Sequence, residues 1–519
     1  MKPGLLHTWP LTRYADRTAI ILGSRRMTFR EIDARINKLA HALGSIGLGR
    51  GHKAAVLMRN SVQLVECQYG IPRAGLATVA LNIRLSPQEC AFIVDDSESD
   101  VLIVDAEFID MIEPVLGSMT TLKHVIVVGE KGGKHLNYES LVKDQPEYQP
   151  DIEVHEDDIE RIQYTSGTSG RPKGAVSTFR IGADRILNTL VNLDQSIKPT
   201  DVNLNIGPLT HAAGRVMALF YIRGAANVIL ERFDPKEVLK TIERERVTHA
   251  LFVPTMLIRI LMEPDLKTYD LSSLTSIAYG TAPMSASRLK EAIQIFGPIL
   301  RQNYGMTEVT QPITYLAPED HVVDGTEEQM RRLSSAGKPA LGVEVKVVND
   351  DGQPVGPGEI GEILVRSNKL IKEYWKQPEA TAEAFRNGWL YTSDMATVDR
   401  DGYIYIVDRK NDMIISGGFN IYPREVEEAI MSHAGVAQAA VIGVPDEVWG
   451  ESVKAFVVPK EGVTLTEAEI LEACKERLAS FKKPKSVEFM RELPQNAYGK
   501  ILRRTLKEPY WKGYERKVH

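Results

Sequence analysis

Long hydrophobic runs are missing from this 519-residue sequence. Its longest apolar stretches, such as Val101 to Val104 and Ala439 to Val444, are only strand-length. A membrane-spanning helix needs roughly 18 apolar residues in succession, so no transmembrane segment is expected. The N-terminal stretch MKPGLLHTWPLTRYADRTAII has no continuous apolar core running to a small-residue cleavage site. No signal peptide is expected either. Cysteine is scarce: Cys67, Cys90 and Cys474 are too few and too scattered for a disulfide framework, and they lack metal-ligand spacing. A reducing compartment follows, with the cytoplasm as the expected location. Basic runs are absent too. Lys plus Arg total 63 against 69 Asp plus Glu, a formal charge of −6, which leaves no footprint for nucleic acid.

What is present is an ordinary globular balance of 43% apolar and 25% charged residues, which excludes wholesale disorder and fibrous repeats. At roughly 150 residues per domain, the length allows about three and a half domain units. The dominant rhythm is strand then helix. Lys53 to Asn60 reads as a buried strand and Ser61 to Ala74 as a helix shortened or kinked by Pro72. Ala77 to Asn82 reads as the next strand, which makes a βαβ unit with parallel strands. Ser86, Pro87 and Glu89 form a capping-box helix start. Strands follow at Val101 to Asp105 and His124 to Val128, and again near Asn227 to Glu231 and Ala250 to Pro254. Such alternation points to α/β layers. After about Ser334 the chain turns rich in Gly, Pro and β-formers and reads as short antiparallel strands. Beyond Asp408 to Asp412 comes another pattern: helix (Pro423 to Met431), two strands (Ala437 to Val444, Ser452 to Pro459) and a helix (Glu467 to Ala479) capped by Thr466 and Glu469.

The segment YTSGTSGRPKGA, Tyr164 to Ala175, concentrates glycines and hydroxyls around Lys173. Glycines let backbone N–H groups approach a phosphate closely, the hydroxyls add donors, and the lysine adds a point charge. The string is not a Walker loop, because five residues on from Gly167 stands Pro172 rather than Gly.

This loop resembles the signature of the adenylate-forming enzymes: acyl-CoA synthetases, aryl-CoA ligases, carrier-protein adenylation domains and beetle luciferases. The further motifs come in that family's order. They are PLTHAAG (Pro208 to Gly214), YGTAPM (Tyr279 to Met284), NYGMTE (Asn303 to Glu308), GWLYTSD (Gly388 to Asp394), VDRKNDMIISGGFNIYPREVE (Val407 to Glu427) and LPQNAYGKILRR (Leu493 to Arg504). The resemblance covers essentially the whole chain and is most like a bacterial-type acyl-CoA synthetase. It implies an α/β fold: a large N-terminal body, 1–408, of two α/β subdomains plus a β-rich subdomain. A small mobile α+β lid, 409–519, follows a hinge near Asn411. The implied activity is an AMP-forming acid–CoA ligase using ATP, Mg2+ and coenzyme A on a medium- or long-chain fatty or aromatic carboxylic acid. A free-standing loader of a carrier protein, a luciferase-type oxygenase and a non-catalytic nucleotide sensor are the alternatives. A homodimer is common among relatives.

By the same resemblance, Thr165, Ser166, Gly167, Thr168, Ser169, Gly170 and Lys173 wrap the ATP phosphates. Gly280, Thr281 and Ala282 border the adenine and the acyl pocket. Asn303, Tyr304, Gly305 and Met306 belong to the adenine and phosphate motif. Thr307 reaches the α-phosphate, and Glu308 with Thr168 serves the magnesium ion, whose preference is for hard oxygen ligands. Asp394 accepts hydrogen bonds from the ribose hydroxyls, with Arg409 as a second ribose contact. His211 gates the acyl pocket, and Gly417 and Gly418 line the pantetheine tunnel. Lys500 stabilises the charge that develops as carboxylate meets α-phosphate. Four positions depart from the usual pattern: Phe179, Ser393 and Tyr498 replace a common histidine, glycine and Thr/Ser, and Asn411 leaves the hinge uncharged. Ala212 and Ala213 suggest a roomy acyl pocket. Arg215 is read as a structural or surface residue, the alternative being a pocket-facing partner for a second carboxylate.

Overall fold

The computed structural model describes residues 5–130, 133–165, 172–193, 197–309, 312–417, 419–475, 477–495 and 501–512. Among these no helix is long and apolar enough to cross a membrane. The chain divides into two compact units, 1–333 with 337–344 and 366–390, and 334–336 with 345–365 and 391–519.

The first unit holds two large sheets. One has eight strands, ordered Glu373–Tyr374, Lys173–Thr178, Ile159–Thr165, Ala77–Ala80, Lys53–Leu57, Val101–Asp105, His124–Val128 and Leu136–Asn137. Its middle is parallel, as the βαβ reading requires, and only the edge beyond Ile159–Thr165 turns antiparallel. The other sheet has nine strands, with Leu300–Tyr304, Ser276–Gly280, His249–Phe252, Val202–Asn205 and Ala226–Ile229 running parallel at its centre.

Local sequence sets the helices between them. Thr28 and Glu31 close a capping box on Phe29–Ser45, and Ser86 with Glu89 does the same on Pro87–Asp96. Ser61 caps Val62–Arg73, with Pro72 confined to the last turn, where its missing N–H does least harm. Helices Phe29–Ser45 and Val62–Arg73 bury apolar faces in one core that also draws Ala19 and Ile20 from one sheet and Ala54 and Val56 from the other.

In the second unit, Trp389–Val398 pairs antiparallel with Ile404–Arg409. The chain then builds a layer from Val436–Asp446 and Gly450–Pro459, with Ser486–Phe489 added in parallel. Helices Pro423–Met431 and Glu467–Lys475 cover its apolar face. The second helix stops earlier than expected, at Lys475, but carries its Thr466–Glu469 cap. Helix Arg503–Trp511 brings Arg503 against Glu427, whose two oxygens each lie 2.8 Å from Nη2. Glu427 is only 9% exposed and also accepts the Val441 N–H at 2.8 Å.

Removing one partner of a buried ion pair leaves an uncompensated charge. Arg503→Leu is therefore expected to destabilise the second unit by about 3 kcal/mol in urea unfolding, the scale for breaking such pairs. A loss well under about 1 kcal/mol, the range of exposed pairs, would mean that the pair is effectively solvated.

Candidate active site

The first unit encloses a cavity of about 150 Å3 between its two sheets. Parallel strands buried on both faces normally read as continuous apolar runs. Here polar residues recur every second position. Arg301 and Asn303 alternate with Leu300, which packs into the opposite core, and Ser276 and Ala278 alternate with Ile277 and Tyr279. The cavity face is therefore polar while the far face is apolar. From the eight-stranded sheet come the neighbours Glu160 and Arg161. Plain alternation would send them to opposite faces. A register shift between Ile159 and Arg161 in the pairing with Lys173–Thr178 bends the strand, and both reach the cavity.

His211, at the start of helix Ala212–Ile222, also lines this space. Gln163 Nε2 lies 3.1 Å from its Nε2 and Thr210 Oγ1 2.9 Å from its Nδ1. Burial, then Arg215 and Arg161, push its pKa down to about 3. His7, at the same cavity, is likewise held down to about 3 by burial. Ala212 borders the cavity, whereas Ala213 belongs to the packed core. Arg215, expected as a structural or surface residue, lies in the cavity wall instead.

Beside this cavity one tyrosine gathers the phosphate and metal candidates. Tyr374 Oη donates to Glu308 Oε1 at 2.8 Å, and the Lys173 ammonium stands over the Tyr374 ring at 5.2 Å. Glu308 is 7% exposed, so its carboxylate is held in place and kept from bulk water. Thr165 ends its strand opposite Lys173. Ser166, Gly167, Thr168, Ser169 and Gly170 lie outside the described residues, as do Gly418, Tyr498 and Lys500.

Gly280 pairs with Asn303, and a Cβ there would collide with the Asn303 carbonyl, which explains the glycine. Thr281 follows with φ +68°, a left-handed conformation that β-branched residues rarely adopt. Ala282 continues this turn, while Tyr304, Gly305, Met306 and Thr307 lead from the strand Leu300–Tyr304 to Glu308. Asn303 Oδ1 is buried with no hydrogen-bond partner.

In the second unit Asp394 and Arg409 face each other in register, with Arg409 Nε donating to Asp394 Oδ1 at 3.1 Å. Gly417 has φ +57°, and a Cβ there would strike the Trp449 ring. Asn411 lies in the single turn Lys410–Asp412.

Residues 8–375 match the AMP-binding enzyme family, and residues 425–500 match the AMP-binding enzyme C-terminal domain. The chain belongs to this family. It is 35% identical to a medium/long-chain-fatty-acid–CoA ligase of Mycobacterium tuberculosis, over 99% of this chain and 91% of that one. It is 38% identical to a feruloyl-CoA synthase of an Amycolatopsis species, over 96% of this chain and 97% of that one. Among solved structures it resembles an anthranilate CoA ligase in complex with anthranoyl-AMP. The TM-score is 0.88 at 30% identity, covering 97% of this chain and 96% of that one. The chain is accordingly an ATP-dependent, AMP-forming acid–CoA ligase.

Motif matching pointed to Glu308 and His211 but missed the side chains that surround them: Tyr374, Arg161, Arg185 and Tyr69. The available signal was polar residues at period two inside strands that ought to be apolar, as in IERIQYT and LRQNY.

Two expectations follow. Ser393, standing where the family usually has glycine, holds φ +58°. Ser393→Gly should raise stability by about 1 kcal/mol in chemical unfolding, the lower range for relieving a left-handed non-glycine residue. The second concerns pH. His7 and His211 have folded pKa values of about 3 and His321 of about 4, below the unfolded value of 6.5. Between those limits the unfolded chain binds more protons, so stability falls as pH falls below 6.5. Each group contributes at most about 1.4 kcal/mol per pH unit. Melting temperature should drop from pH 7 to 5, and His321→Gln should make the drop shallower. A flat profile would mean that these imidazoles are not held neutral.

Proposed function

We propose that this ligase activates a fatty or aromatic carboxylic acid bound in the cavity between the two sheets, and then transfers the acyl group to coenzyme A. In the first step a carboxylate oxygen attacks the α-phosphorus of ATP. The bond to the bridging oxygen breaks and pyrophosphate leaves, giving acyl-AMP. In the second step the coenzyme A sulfur attacks the acyl carbonyl, AMP leaves, and the thiol proton passes to solvent.

The observation that carries this reading is the Tyr374 contact. It holds Lys173, the cation of the phosphate loop, and Glu308, the candidate metal carboxylate, to one side chain although they are far apart in sequence. Lys173, Thr165 and the loop 166–170 are assigned to the departing pyrophosphate. Thr307 is assigned to the α-phosphate, and Gly280 to Ala282 with Asn303 to Met306 to the adenine side. Asp394 and Arg409 are assigned to the ribose, and Gly417 and Gly418 to the pantetheine arm.

Glu308 fits a magnesium ion. It is a hard oxygen ligand whose Oε2 takes no hydrogen bond among the described residues, and magnesium commonly uses one or two carboxylates beside substrate phosphates and water. Thr168 is proposed as a second ligand. The ion would neutralise charge on the phosphate oxygens. His211, neutral near pH 7 because of its depressed pKa, brings no charge to the acid it admits.

Residues 1–408 are proposed to act as the body and 409–519 as a lid that turns about Asn411 and delivers Lys500 to the first step. The buried, unpaired thiols Cys67, Cys90 and Cys474 accord with a reducing cytoplasm. A homodimer is the proposed assembly.

Lys500→Ala tests the two-step scheme. Adenylation, read as acid-dependent pyrophosphate release, should fall by roughly a hundredfold or more, the scale for losing one transition-state charge stabiliser. Thioester formation from supplied acyl-AMP should largely survive. Equal loss in both steps would remove the lid assignment. Thioester formed with coenzyme A alone, with no carrier protein added, separates the ligase from a carrier-protein loader.

A further inference from the structure

The cavity carries more positive charge than the proposed reaction uses. Among the described residues, four arginines line it, Arg161, Arg185, Arg215 and Arg301, and Glu160 is the one carboxylate in its wall. Arg185 is 7% exposed and spends its guanidinium on neutral acceptors: Ser177 Oγ at 2.6 Å, the Lys369 carbonyl at 3.0 Å and the Thr307 carbonyl at 3.4 Å. The Arg161 guanidinium has no hydrogen-bond acceptor and no ion pair among the described residues. Tyr69, 5% exposed and also in the wall, has a hydroxyl buried without a partner. Arg161 acts on Tyr69, on His211 and on Arg185, which places it among these groups. Arg215 acts on His211 and Arg185 as well. Burial pushes Arg215 down to about 10, with Arg161 adding to the effect and Glu160 and Glu308 opposing it. Glu160 offsets part of this charge, but one carboxylate beside several like charges away from water, with the Arg161 donors unspent, leaves room for a further anion.

The reacting carboxylate is a poor candidate for that role. A carboxylate gripped by several guanidiniums has its lone pairs engaged and is a weaker nucleophile. Once adenylated, its acyl end is an uncharged carbonyl whose mixed anhydride keeps its charge on the phosphate, and afterwards it is an uncharged thioester. The cations would then be left with only the partial compensation of Glu160 for the rest of the cycle. A group that stays anionic through both steps meets the requirement. The rest of the wall is apolar, with Ile186, Leu209, Val216, Leu219 and Phe220. A cavity of about 150 Å3 is enough for a body the size of a benzene ring.

We propose that the acid is compact and carries a second carboxylate, received by the Arg161 and Arg215 guanidiniums and the Tyr69 hydroxyl. Guanidinium suits this role because its planar fork matches a carboxylate in two parallel hydrogen bonds. The proposal rests on the ligase reading and names its substrate class.

Matched acid pairs test it: hexanoate with adipate, and 3-phenylpropanoate with 3-(2-carboxyphenyl)propanoate. In acid-dependent thioester formation the diacid of at least one pair should show kcat/KM about tenfold or more above its monoacid, the scale of one charged hydrogen bond. Arg161→Met and Arg215→Met should each lower the diacid's kcat/KM at least tenfold more than the monoacid's. A second readout needs no turnover. Without ATP, the preferred diacid should raise the melting temperature of the wild-type protein above the shift given by its monoacid, and Arg161→Met should abolish the difference. Monoacids turned over as well as diacids in both pairs would overturn the second-carboxylate proposal while leaving the ligase reading intact. Equal thermal shifts within both pairs would overturn it whatever the activity. Pyrophosphate release absent with every acid, alongside a diacid-specific thermal shift, would instead sink the ligase reading and keep the anion site.

Discussion

A carboxylate and a triphosphate repel each other, and the proposed chemistry needs them at bonding distance. Two unit charges about 4 Å apart at an effective dielectric near 20 interact by roughly 4 kcal/mol, and ATP brings several. Around the candidate site the first unit answers with Lys173 and Arg185, each held by something other than a hydrogen-bonded carboxylate. Lys173 rests over the face of Tyr374, and Arg185 is fixed by a hydroxyl and two carbonyls. Cations held in this way keep part of their field available to a ligand, although Glu160 and Glu308 offset some of the Arg185 charge. The sheets make the arrangement affordable. The far side of strands Ser276–Gly280 and Leu300–Tyr304 packs apolar side chains, so their cavity-facing polar residues need not contribute to that core.

The strand–helix alternation was legible because each signal is local. Caps such as Ser86–Glu89 and Thr466–Glu469, and the turn proline Pro72, involve residues within a few positions of one another. The parallel order of the sheets followed from alternation alone. The family's motifs were recognisable as strings, and the structure adds a physical reason for two of their glycines, Gly280 and Gly417, where a Cβ has no room.

The cavity was not legible, and its residues show why. Glu160 and Arg161 are neighbours that share a face only because the pairing slips by one residue between Ile159 and Arg161. Tyr69, Arg215 and Arg301 come from a helix, another helix and a strand far apart in the chain. Their meeting depends on two sheets packing around common helices, which no local pattern encodes. Arg215 is the plainest case. On helix Ala212–Ile222, where Met217, Leu219 and Phe220 are buried, an isolated arginine resembles a surface residue until the opposite wall is known. Thr281 and Ser393 add a different kind of hidden information. Both hold left-handed backbone that their side chains disfavour, so their conformations are imposed by surrounding structure rather than by local preference.

The state of His211 constrains what a gate at this position can be. With its pKa near 3, the imidazole is neutral at any pH where the ligase would work, so the gate cannot operate by charge. Gln163 Nε2 donates to His211 Nε2, which leaves Nδ1 as the protonated nitrogen donating to Thr210 Oγ1. Swinging the ring aside breaks at least these two neutral hydrogen bonds, each worth about 1 kcal/mol net. A barrier of about 2 kcal/mol is well within what an incoming acid can supply by replacing those contacts. It still holds the ring in place most of the time. Gln163 Oε1 is buried without a partner, so the amide gains nothing on that side when the ring is seated. The ring is therefore held by weak neutral bonds that include these two, close to Arg215 and Arg161. Under the proposed gating role and the proposed anion site, displacing the ring and neutralising the cavity charge become the same event.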